Sequence, residues 1–139
     1  MKNLLLIFFT FFTLMSCEKD SAENLPLIYS IEGKWLFDMG ADLPNTMYEF
    51  KDGIRYTYYA DSNDLSLAYW ESLNISDAIP GTNDYIFSDN ILTIDLNFGN
   101  IGDYPLIFEC DGNRINFQDP NSPDKYDWIR LGADFNDCN

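Results

Sequence analysis

The chain has 139 residues, with 23 acidic against 8 basic side chains and no histidine, for a formal net charge of −15. Such a charge repels nucleic-acid phosphates and argues against a basic membrane-binding face. Without histidine the commonest general base and the commonest zinc ligand are both missing, which excludes serine-type triads and histidine metal centres.

The first segment carries Lys2 and then an apolar stretch from Leu4 to Met15, interrupted only by Thr10 and Thr13. A membrane-spanning helix needs roughly 20 apolar residues, whereas a run of about 7–15 behind a basic start is the core of a signal peptide. Leu14, Ser16 and Cys17 follow, and polarity begins at once with Glu18-Lys19-Asp20. This junction resembles the lipobox of bacterial lipoproteins. The resemblance implies that residues 1–16 are a lipoprotein signal peptide, that Cys17 is lipidated and opens the mature chain, and that the protein is lipid-anchored in the cell envelope, at the outer membrane, on its periplasmic or surface face. Stable anchoring requires two or more acyl chains, at about 0.8 kcal/mol per buried CH₂. Residues 17–30 then read as the lipidated N-terminus and a tether, charged, free of aromatic residues except Tyr29, and broken by Pro26.

Residues 31–139 are enough for one domain with one core. From Ile31 onward apolar and polar residues alternate, punctuated by Gly, Asn, Asp and Pro, so an all-β domain is expected. In "IEGKWLF", Ile31, Gly33, Trp35 and Phe37 share one face. For "TMYEFKDGIRYTYY" a three-residue loop, Lys51 to Gly53, would pair Phe50 with Ile54 and Tyr48 with Tyr56 and make one face wholly apolar. A two-residue Asp52-Gly53 turn would instead set Glu49 against Tyr56, so the looser loop is the expected one. "LSLAYWESL" is read as a further strand. A turn at Asp89-Asn90 aligns Phe87 with Leu92 and Tyr85 with Ile94. A turn at Asp111-Gly112 aligns Phe108 with Ile115 and Leu106 with Phe117, and sets Glu109 opposite Arg114 on the outer face. With the final "YDWIRL" this makes eight or nine short strands, and such a meander avoids exposed edges by closing into a small up-and-down antiparallel barrel.

Gly33-x-Trp35 on the first strand, the chain of hairpins and Arg130 on the last strand resemble the lipocalin-like (calycin) barrels, and in particular the lipocalin-like domains of Gram-negative lipoproteins. The resemblance implies that 31–139 is a lipocalin-like β-barrel domain. It also implies that Trp35 plugs the closed end and that Arg130 packs across it as a cation–π partner, both in structural roles.

With Cys17 assigned to lipid, Cys110 and Cys138 remain, an even number for a compartment where disulfides persist, and they are expected to pair. Paired carboxylates could serve a glycosidase, but nothing marks a pair as buried. The acidic stretches Asp61–Asp64 and Asp119–Asp127 depart from EF-hand spacing, because Leu65 and Pro123 stand where ligands are wanted. No catalytic residue, metal or cofactor is therefore expected, and the protein is read as a monomeric, non-catalytic binding module. Its inward residues Tyr56, Tyr58, Phe87, Phe108 and Phe117 would touch a small apolar or amphipathic ligand. The alternative is a barrel with a filled core that binds an envelope protein or glycan.

Overall fold

A computed structural model describes residues 30–38, 44–60, 64–118 and 125–134. Eight antiparallel strands follow one another around a closed barrel: β1 (Gly33–Asp38), β2 (Thr46–Lys51), β3 (Ile54–Tyr59), β4 (Asn83–Ser88), β5 (Ile91–Asp95), β6 (Ile101–Glu109), β7 (Arg114–Gln118) and β8 (Lys125–Arg130). Closure comes from β8 pairing with β1, with Trp35 opposite Arg130 and Phe37 opposite Trp128. The all-β, up-and-down barrel expected from the alternation is the fold.

Turn chemistry sets most of the registers. Asp89 and Asn90 both take positive φ, 53° and 59°, the geometry whose twist suits a tight hairpin, and Tyr85 pairs with Ile94 and Phe87 with Leu92 as expected. At the β6–β7 turn the Asn113 amide donates to the Cys110 carbonyl at 3.0 Å, and the expected pairs Leu106–Phe117, Phe108–Ile115 and Glu109–Arg114 are present. Cys110 is itself left-handed, so the ladder stops at Glu109. Strand β6 pairs with β5 through Pro105 and with β7 from Leu106 onward. Proline lacks an amide proton, and it stands at the residue where the strand exchanges one neighbour for the other.

The β2–β3 hairpin corrects the sequence reading. Lys51 pairs with Ile54, Phe50 with Arg55, Glu49 with Tyr56, Tyr48 with Thr57 and Met47 with Tyr58, around a two-residue Asp52-Gly53 turn with φ of 52° and 78°. Tyr56 and Tyr58 therefore face outward, and Arg55 and Thr57 lie on the inner side with Phe50 and Tyr48. The physical reason lies in the second correction. "LSLAYWESL" forms no strand: Leu67–Ser72 is a helix, α1, whose amide at Tyr69 is capped by the Ser66 hydroxyl at 3.2 Å. This helix buries Met47 and Tyr58 on the outer face while Arg55 and Thr57 lie on the inner one, so polarity could not tell the two faces of that hairpin apart.

Two cores result. Inside the barrel, Trp35, Phe50, Leu92, Leu106, Ile115 and Trp128 are buried together. Outside it, Leu36, Met47, Tyr58 and Trp70 form a second buried cluster between the sheet and α1. Fully burying a large apolar side chain contributes about 1.5–3 kcal/mol, so the helix is fixed chiefly by Trp70, which is 1% exposed.

Candidate functional site

The two ends of the barrel differ. At one end meet the β2–β3, β4–β5 and β6–β7 turns, the start of β1 and the end of β8, and this end is sealed. Arg130 lays its guanidinium 4.2 Å from the centroid of the Trp35 ring and donates to the carbonyls of Glu32 and Ser30, both at 3.0 Å. Trp35, fully buried, donates its indole N–H to the Ile31 carbonyl at 2.8 Å. Gly33 has φ of 118°, and a Cβ there would meet the Arg130 guanidinium at 3.1 Å, so both the backbone and the arginine call for glycine beside the tryptophan. Phe108 packs edge-on to Trp35 and to Phe87, which fills this half of the interior with rings.

Among the described residues the opposite end is open. Here lies a cavity of about 140 Å³, walled by the rings of Phe37, Tyr48, Tyr104, Phe117, Tyr126 and Trp128, with Ile94 and Leu96 completing its apolar side and Arg55 as its one charged wall residue. Trp128 is the deepest ring, 3% exposed, and lies between Phe117 at 5.2 Å and Phe50 at 5.5 Å, both stacked. Tyr104 leaves room for the cavity by folding back over Gly102, where any Cβ would collide with its ring at 2.5 Å.

Arg55 reaches this site because β3 and β4 pair over only two positions, Ile54–Asp84 and Arg55–Asn83, before they part. Its guanidinium stacks over the Tyr48 ring at 4.9 Å, and one Nη donates to the Asn83 side-chain oxygen at 2.6 Å. No carboxylate among the described residues pairs with it. Burial pulls the Arg55 pKa below its ordinary value, with the neighbouring tyrosines opposing, yet arginine remains cationic at neutral pH. Burial likewise raises the Tyr48 hydroxyl above its ordinary value, with the Arg55 charge opposing.

Two residues of the wall carry a fully buried donor with no protein acceptor, Arg55 Nε and the Trp128 indole N–H. Each such group left unsatisfied costs about 1–3 kcal/mol. A pocket that joins six rings to one guanidinium can hold an apolar body and orient a polar end.

Of the five residues expected to line a ligand site, Phe117 alone is in the cavity wall. Phe87 and Phe108 are inward but belong to the sealed half, and Tyr56 and Tyr58 are on the outer face beneath α1. The wall residues Phe37, Tyr48, Arg55, Tyr104, Tyr126 and Trp128 were not singled out for it. Tyr48 and Arg55 could have been placed from the Asp52-Gly53 dipeptide alone. Trp35 and Arg130 are in contact. Cys17, residues 1–29 and Cys138 lie outside the described residues, as do most positions of the two acidic stretches. Hydrogen bonds from the Ser66 hydroxyl first, and then from the Ser66 amide at 3.0 Å, lower the Asp64 pKa, while Asp127 bonds to Arg114 and Asn116. Among the described residues no group of three acids or cysteines is placed to hold a metal ion.

No protein-family model, curated protein or solved structure matches this chain.

Proposed function

We propose that this barrel is a lipocalin-like binding module that performs no chemistry and takes a small amphipathic ligand into its open end. The observation that carries the reading is the cavity itself, six aromatic rings around one interior cation that no carboxylate of the described residues pairs. The absence of histidine from the whole chain supports it from the side of catalysis. Size limits the ligand. Small-molecule sites usually span about 300–1,000 Å³, whereas a cavity of roughly 150 Å³ admits one benzene ring. The part of the ligand that enters is thus a single ring or a short chain, and anything larger projects through the mouth. Membrane attachment through lipid on Cys17 belongs to the same reading, and places the module in the cell envelope.

A test is to titrate small aromatic compounds into the protein while following tryptophan fluorescence and thermal stability. Occupancy beside Trp128 should quench its emission, and stability should rise by about 2.7 kcal/mol at a hundredfold excess over Kd. Failure of every compound to do either would favour the second reading, a filled-core module for an envelope protein or glycan. That reading has one observation of its own: on the outer face of β4–β6, Ile86 and Ile101 lie together and are 69% and 67% exposed.

A further inference from the structure

We propose that the open-end cavity selects a small organic anion, a ring or short chain bearing a carboxylate, whose oxygens are received by the Arg55 guanidinium. This rests on the binding reading above and narrows it to one class of ligand.

Three observations converge. Arg55 is the one charged residue of the cavity wall, and a guanidinium only donates, so it calls for an acceptor on the ligand. No carboxylate of the described residues neutralises that guanidinium. An aromatic cage by itself would suit a cation held over its ring faces. Here the cation is already present, stacked 4.9 Å from the Tyr48 centroid, and a second would be repelled at close range in a medium of low polarity. A carboxylate instead gains charge-assisted hydrogen bonds from the guanidinium, roughly twice as strong as neutral ones. The net negative charge of the protein opposes such a ligand only weakly, since charges further off than about 8 Å are screened at physiological salt.

The experiment compares three probes of one shape on the full chain at pH 7: benzoate, benzyl alcohol and benzylammonium. Affinity is read from ligand-observed NMR, with tryptophan quenching as a second signal. Benzoate is expected to bind at least tenfold more tightly than benzyl alcohol, and benzylammonium more weakly than either. Arg55→Met, which keeps a stem to pack on Tyr48, should bring benzoate down to the affinity of the alcohol. If benzyl alcohol or benzylammonium binds as well as benzoate, the anion preference is overturned while the cavity-binding reading stands. If none of the three binds, both fall. The wild-type comparison needs no variant, so a poorly folded Arg55→Met protein leaves the outcome decided.

Discussion

Arg130 and Trp35 face each other across the β1–β8 seam, with the guanidinium 4.2 Å from the indole centroid and its N–H groups spread over three backbone carbonyls: those of Ser30, Glu32 and Gly112. One side chain therefore ties the start of β1, the end of β8 and the β6–β7 turn together. Burial lowers the Arg130 pKa without removing its charge. Hydrogen bonds to a charged group contribute about 1.5–3 kcal/mol each before coupling, and the cation–π contact adds about 0.5–2. Arg130→Ala is expected to cost about 2–4 kcal/mol, which for a domain of this size lowers Tm by roughly 10 °C or more. Arg130→Lys should recover little, because an ammonium cannot reach three carbonyls in fixed planar directions. Calorimetry of the two variants checks this, and a Tm unchanged in Arg130→Ala would show the latch to be idle.

A second prediction concerns alkaline pH. Tyr85 and Tyr58 donate to the carboxylates of Glu32 and Glu49, both at 2.5 Å. Burial first, then these bonds and the carboxylate charge, push both hydroxyls well above the ordinary tyrosine value. In the unfolded chain tyrosine loses its proton near pH 10. Above that pH the unfolded state has shed protons that the folded state still holds, so stability falls as pH rises, while below about pH 10 the contribution is fully present. Denaturant melts between pH 8 and 11 should show this decline, and Tyr85→Phe should make it shallower. A decline that is unaltered in both Tyr85→Phe and Tyr58→Phe would assign it elsewhere.

The third prediction tests the outer core. Helix α1 is six residues long, far too short to persist alone, so it exists because Trp70 is buried against Met47, Leu36 and Tyr58. Trp70→Ala should cost about 3–5 kcal/mol, and Ser66→Ala, which removes only the cap, about 1 kcal/mol. Urea unfolding measures both. Equal small effects would mean that the helix is not part of the cooperative fold.

What could be read from the sequence follows from where water is. Strands β4, β5 and β7 have one wet face, so alternation and the Asp89-Asn90 and Asp111-Gly112 turns gave their registers directly. In the β2–β3 hairpin α1 buries Met47 and Tyr58 on the outer side while Arg55 and Thr57 lie inward, and sorting side chains by polarity then chose the wrong loop. Asp52-Gly53 held the right answer in its own turn chemistry. The helix was legible only in Ser66 and the Trp70–Leu73 spacing, a signal one turn long. The cavity was hidden for a related reason: Arg55 looked like a solvent-facing charge, and nothing in the strand itself says that β4 leaves it after two pairs.

The last prediction concerns the three cysteines, which the proposed function divides between two roles. Lipid on Cys17 would hold the protein at the membrane, so Cys17→Ser should move it to the soluble fraction with the barrel intact. Cys110 sits on the β6–β7 turn at the sealed end, beside Gly112, whose carbonyl is 3.4 Å from Arg130 Nε, and a bond to Cys138 would pin the tail to the same corner that Arg130 latches. Closing a loop of this length contributes about 2–4 kcal/mol. Thiol titration of the denatured, unreduced Cys17→Ser protein should therefore find no free thiol, and reduction should lower its Tm. Two reactive thiols in that titration would reject the pairing. A protein that stayed fully membrane-bound without Cys17 would reject the anchor.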